Sequence, residues 1–103
     1  MKKAIVLALF PILAVAQQMP PIMGYLPNRN NNKITFTTFQ GECKQGNRVV
    51  YTQLDGGKIS EFGCYRLVGD EILVVWADGE AYTYPLANVT LSSDMEAFLN
   101  RQP

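Results

Sequence analysis

From residue 33 onward, short apolar runs rich in β-branched and aromatic residues alternate with polar turns that carry glycine. Lys33-Ile-Thr-Phe-Thr-Thr-Phe39, Arg48-Val-Val-Tyr-Thr-Gln-Leu54, Ile59-Ser-Glu-Phe-Gly-Cys64 and Ile72-Leu-Val-Val-Trp76 read as strands, because such side chains fit a pleated, half-buried surface. Between them stand Lys44-Gln-Gly-Asn47, Asp55-Gly-Gly-Lys58, Val68-Gly-Asp-Glu71 and Ala77-Asp-Gly-Glu80. Asp-Gly between two strand-like runs is a strong hairpin signal, since a type I′ turn needs positive φ at both central positions. The stretch from Cys64 to Pro85 is therefore predicted to be a three-stranded meander with residues 72–76 in the middle.

Counting outward from the turns gives a register. With Asp78-Gly79 as the loop, Ala77 faces Glu80, Val75 faces Tyr82 and Leu73 faces Tyr84. With Gly69-Asp70 as the loop, Leu67 faces Ile72, Tyr65 faces Val74 and Cys64 faces Val75. With Gly56-Gly57 as the loop, Val49 faces Cys64 and Tyr51 faces Phe62. Opposed residues share a face and neighbours along a strand alternate. One face then carries Val49, Tyr51, Phe62, Cys64, Leu73, Val75, Tyr82 and Tyr84, and the other carries Tyr65, Leu67, Ile72, Val74 and Trp76. Both are apolar, whereas a sheet with one wet side alternates cleanly, so the meander is covered on both sides or curled into a small barrel.

The flanks read differently. Residues 17–32, with three prolines and an Asn-rich end, suit an extended arm, either a loose tail or a segment whose Met19, Ile22, Met23, Tyr25 and Leu26 pack on a partner or on the sheet. Leu86-Ala-Asn-Val-Thr-Leu91 is a candidate final strand. Ser93-Asp-Met-Glu96 has capping-box spacing, and Met95, Phe98 and Leu99 form one helical stripe after it. The fold class expected is mainly β: a small antiparallel barrel or sandwich of five to six strands, SH3-like, with one C-terminal helix.

Residues 1–16 change the setting. Lys2 and Lys3, an apolar core over residues 4–15 and the small-x-small Ala14-Val-Ala16 make a signal peptide cleaved after Ala16, and the apolar run is too short for a membrane span. The organisation is then residues 1–16 as leader, 17–32 as arm and 33–103 as a β domain, in a periplasmic or secreted location. In that compartment the only two cysteines, Cys43 and Cys64, are expected to pair, closing a loop worth roughly 3 kcal/mol by chain entropy. From residue 17 on, seven basic residues stand against nine acidic ones, a net charge of −2 with no basic cluster, so the footprint of a nucleic-acid binder is missing.

Candidate chemistry is sparse. There is no histidine and no Cys-x-x-Cys, so the usual ligands for zinc and haem are missing and no metal or cofactor is expected. Asp55, Asp70, Glu71, Asp78 and Glu80 all sit at turns, where structure alone explains them, and the chain is read as a non-enzyme. The expected core is the Cys64 face, since Cys43 has to reach it. Trp76 and Tyr65 on the opposite face, rimmed by Asp78 and Glu80, are then the candidate binding face, with Trp76 partly open to solvent.

Gly63-Cys-Tyr-Arg-Leu-Val-Gly-Asp70, Ile72-Leu-Val-Val-Trp-Ala-Asp-Gly79 and Tyr82-Thr-Tyr-Pro85 together resemble small exported proteins from proteobacteria and their tailed phages. The Trp-x-Asp-Gly…Tyr pattern is also similar to SH3-like and Tudor-like barrels. With no catalytic constellation in the chain, the reading is an exported binding module that engages a protein or envelope component. The resemblance supplies its setting, a prophage-encoded protein, where superinfection exclusion or inhibition of a wall-degrading lysozyme are the roles that fit. The alternative is a structural subunit of an envelope or virion assembly whose arm is exchanged between copies. Cys43-x-x-Gly-x-x-Val-Val-Tyr51 is similar to one class of periplasmic lysozyme inhibitor, whose Ser-Gly-x-Arg-Tyr-type inhibitory loop has no counterpart here.

Overall fold

The computed structural model describes residues 19–102. The strands are β1 (Ile22–Pro27), β2 (Lys33–Thr37), β3 (Arg48–Gln53), β4 (Ile59–Val68), β5 (Glu71–Trp76), β6 (Ala81–Pro85) and β7 (Thr90–Leu91), followed by helix α1 (Ser93–Asn100). They form one antiparallel sheet in the order β6-β5-β4-β3-β2-β1-β7. The expected mainly β fold with a C-terminal helix is present, with seven strands rather than five or six. The added strand is the Ile22–Pro27 segment of the arm, β1, paired with β2 along its length and with β7 at Gly24 and Tyr25. The 86–91 segment is a strand only at Thr90–Leu91, after a 3-10 turn at Leu86–Asn88. The expected leader and its cleavage point lie outside the described residues.

The connection between the outermost strands forces the sheet to curl. A flat array of this width would hold β6 and β7 roughly 29 Å apart at ~4.8 Å per strand. Residues 86–89 can span at most about 18 Å between Pro85 and Thr90. The sheet is therefore bent into a half-barrel, and Leu86 and Val89 of the connection pack against the cluster it encloses. That inner cluster is Leu26, Ile34, Phe36, Val50, Tyr65, Ile72, Val74 and Trp76. Phe36, Val50, Ile72 and Val74 are fully buried, each stabilising by about 1.5–3 kcal/mol relative to exposure. Tyr65 meets Phe36 edge-on at 5.0 Å and its hydroxyl donates to the Thr37 carbonyl at 2.6 Å.

Glycine sits where the curl brings backbone close. A Cβ on Gly24 would come within 2.5 Å of the Thr90 carbonyl oxygen, and one on Gly63 within 2.6 Å of the Val75 carbonyl and 3.0 Å of the Trp76 ring. Both glycines belong to the inner face: Gly24 is opposite Phe36, and Gly63 lies between Val50 and Trp76. The indole of Trp76 thus packs over a position with no side chain.

The register agrees with expectation at β3–β4 and β4–β5, where Val49 opposes Cys64, Tyr51 opposes Phe62, Tyr65 opposes Val74 and Leu67 opposes Ile72. It differs at β5–β6. Gly79 N–H donates to the Trp76 carbonyl and Trp76 N–H to the Glu80 carbonyl, both at 2.8 Å. The loop is therefore Ala77-Asp78-Gly79, with the αL glycine that closes a three-residue hairpin. The slip sets Val74 against Tyr82 and Ile72 against Tyr84, moving both tyrosines to the inner-face side.

The helix starts one residue earlier than its sequence pattern suggests. Ser92 is the N-cap: its Oγ accepts from Met95 N–H at 3.0 Å and donates to the Ile22 carbonyl at 2.7 Å, while its N–H donates to the Met23 carbonyl at 3.0 Å. One serine thus caps α1 and ties it to β1, a tertiary role the local Ser93–Glu96 box cannot fill. Met95 and Phe98 are buried and Leu99 is exposed.

Candidate functional site

The residues expected to form a binding face divide between the core and a turn. Trp76 and Tyr65 are each only 6 % exposed and belong to the inner cluster, so the expectation that Trp76 is open to solvent is corrected. The two do share a face, as counted; what is inverted is which face is the core. Asp78 and Glu80 lie at the exposed 77–79 loop. Asp78 Oδ1 accepts from Glu80 N–H at 2.9 Å, an Asx-type turn, and Tyr82 donates its hydroxyl to Glu80 Oε1 at 3.0 Å.

The Cys64 face is the outer face of the half-barrel. The Cys43–Cys64 disulfide is formed, with Cα atoms 5.8 Å apart. It joins the loop between β2 and β3 to the outside of β4, so it fastens the loop onto the sheet outside the inner cluster. Cys43 N–H donates to the Gln40 carbonyl at 2.9 Å, and Gln40 Nε2 donates to the Cys43 carbonyl at 3.1 Å, which fixes the loop where the bridge needs it. Thr37 Oγ1 donates to the Val49 carbonyl at 2.8 Å beneath it.

Beside the bridge lies a groove of about 710 Å³. Its floor and walls are the disulfide, Val49, Phe62 and Val75, and Glu42, Lys44 and Asn47 of the fastened loop supply its polar lining. Phe62 is 52 % and Val75 44 % exposed, large values for apolar side chains in the middle of a sheet. Tyr51, tilted against Phe62 at 5.9 Å between ring centres, continues the apolar surface toward β2. Counting from the turns places Val49, Tyr51, Phe62, Cys64 and Val75 together; it does not give the 38–47 loop as the groove's other wall. The available signal was the disulfide itself, which has to bring that loop onto this face.

The titratable groups with displaced pKa values lie on the inner face or at its edge. Burial pushes the Tyr65 hydroxyl up to about 12, partly opposed by the Arg48 guanidinium. Burial also raises Tyr84, and the hydrogen bond to Glu80 raises Tyr82. Among the described residues no group of three or more His, Cys, Asp or Glu converges, and no helix is long and apolar enough to cross a membrane. Compared with protein-family models, curated proteins and solved structures, the chain matches none of them.

Proposed function

We propose that this protein is an exported binding module that holds rather than transforms its partner, and that its working surface is the outer groove beside Cys43–Cys64. The observation that carries the reading is the exposure of Phe62 and Val75 on a disulfide-fastened apolar groove. A monomer keeps large apolar side chains in water at little advantage, and rimmed apolar patches are what protein interfaces use. The partner is a protein or envelope component that inserts an apolar side chain, with Glu42, Lys44 and Asn47 available to its polar flanks. The setting is the periplasm or the exterior, supported by the leader pattern of residues 1–16 and the disulfide. The resemblance to SH3-like barrels and to exported phage and proteobacterial proteins fits the same reading, in a role such as superinfection exclusion or inhibition.

Affinity capture from envelope extract tests it with paired variants. Phe62→Asp and Val75→Asp are expected to lose a partner that the unaltered protein retains, whereas Leu67→Asp, an equally exposed site away from the groove, keeps it. A partner retained equally by all of them removes the groove from the proposal.

A further inference from the structure

The two edges of the sheet are guarded very differently. At one edge β7 is two residues long and runs at once into α1. At the other, β6 is the uncharged run Ala81-Tyr-Thr-Tyr-Pro85, exposed except for half-buried Tyr84. Trp76 N–H donating to Glu80, and Leu86 N–H donating to the Asp70 carbonyl at 2.9 Å, fix the hydrogen-bonding parity. Glu80, Tyr82 and Tyr84 turn their backbone groups toward β5, so the N–H and C=O of Ala81 and Thr83 point outward. Among the described residues nothing pairs with them. Sheet edges are ordinarily blunted by charge, by proline or by a cover, and here only Pro85 at the strand's end does so.

We infer that β6 is a self-association edge, pairing antiparallel with β6 of a second copy about a two-fold axis at Thr83. The sequence of the strand is complementary to itself in that register. Thr83 meets Thr83 and exchanges both backbone hydrogen bonds. On either side Ala81 N–H donates to the Pro85 carbonyl of the other copy, and the missing proline N–H ends the ladder there. Tyr82 lies opposite Tyr84 of the second copy, an aromatic pair, and Thr–Thr is likewise a favourable cross-strand pair. The acid nearest the strand, Glu80, comes to lie against residue 86 rather than against another acid. An extended segment of a foreign protein could add to the same edge, but this self-complementarity favours the second copy. Because the contact is isologous it closes at two subunits. The outer groove, a strand away at Val75, stays open in both copies, so the dimer stands or falls independently of the groove.

Sedimentation equilibrium on the protein in the form the cell accumulates, disulfide intact, tests this from about 5 µM to about 500 µM, a range suited to a small edge contact. The mass is expected to rise from monomer to dimer and stop. Thr83→Lys sets two ammonium groups against each other and is expected to raise the dissociation constant at least tenfold, on the order of like-charge juxtaposition; Leu67→Lys leaves it unchanged. Hydrogen exchange supplies a readout that needs no variant. The Ala81 and Thr83 amides are expected to slow as concentration rises, while the Tyr82 amide, bonded to β5, is slow throughout. A monomer at every concentration overturns the inference, and so does a dimer indifferent to Thr83→Lys. Protection of Ala81 and Thr83 that appears only with an added foreign protein overturns it too, and assigns the edge to an extended segment of that protein. If Thr83→Lys does not fold, the concentration dependence of the two amides decides alone.

Discussion

The inner and outer faces of the central strands are made from nearly the same residue types. The inner face carries Val50, Tyr65, Ile72, Val74 and Trp76, and the outer face carries Val49, Tyr51, Phe62, Leu73 and Val75. Their fates differ because the sheet bends. On the concave side, side chains of neighbouring strands converge and cover one another; on the convex side they splay. Trp76 and Val75 are adjacent in sequence, yet one is 6 % and the other 44 % exposed. Apolarity therefore does not say which face is the core of a curled sheet. The positions of glycine do, since Gly24 and Gly63 both sit on the face where backbone and indole press close.

The sharpest way to break this comparison is to truncate one large ring on each face. Trp76→Ala removes a buried indole and leaves a hole that the glycine beneath it cannot fill, so a loss of about 3–5 kcal/mol is expected. Phe62→Ala on the outer face is expected to cost under about 1 kcal/mol, because the ring is already half in water. Urea unfolding of the two variants side by side measures the difference. Equal losses would mean that the outer face is a second core and the groove an accident of packing.

Three hairpins show how much of this was legible in the sequence. The Gly69-Asp70 turn reads as a two-residue loop and is one, with positive φ at Gly69 alone, as a type II′ loop with glycine first requires. At Asp55-Gly56-Gly57 the sequence suggests a Gly56-Gly57 loop, but Leu54 N–H donates to the Lys58 carbonyl, so the loop has three residues, and a bulge between Thr52 and Gln53 restores the expected pairing. At Ala77-Asp78-Gly79 the same one-residue difference meets no bulge, and β6 slips. Turn residues announce a hairpin but not whether αL glycine ends a three-residue loop, and bulges leave no local signal. The disulfide and the sharing of one face by Val49, Phe62, Cys64 and Val75 were readable, but that this face is the outer one was not. The curl, the arm's place as β1 and the groove were not, because all depend on contacts between distant segments.

The disulfide gives a test of intermediate size. As an outer-face staple, its loss removes no atom of the inner cluster, so Cys64→Ala (with Cys43→Ala to avoid a free thiol) is expected to cost roughly 2–5 kcal/mol, chiefly through the unfolded chain. The cluster around Phe36 and Trp76 should keep its packing. Thiol titration of the denatured, unreduced protein should find none, and near-ultraviolet circular dichroism of the double variant below its transition should match the unaltered protein. A lost aromatic signal with the chain still folded would show that the bridge shapes the inner face, erasing the distinction between staple and core.

The smallest expected effect is a pH dependence carried by the inner face alone. Tyr65 donates its hydroxyl to the Thr37 carbonyl from a buried site, and its folded pKa is about 12 against an ordinary value of 10.0. The folded chain therefore holds this proton more tightly than the unfolded chain does. The stabilisation is fully present below pH 10, and it is lost as pH rises from there through about 12, up to about 2 kcal/mol. Tyr65→Phe deletes both the hydrogen bond and the titration. At pH 8 the variant should be the less stable by about 1 kcal/mol, the worth of a typical hydrogen bond. Near pH 11.5 the gap should have closed or reversed. Tyr82 and Tyr84, whose pKa values are also raised, are present in both proteins and cancel in the difference. Urea unfolding at half-unit steps from pH 8 to pH 11.5, followed by Trp76 fluorescence, gives the two curves. Parallel curves would mean that Tyr65 reaches water in the folded state, and with that the inner face would lose its claim to be the drier of the two.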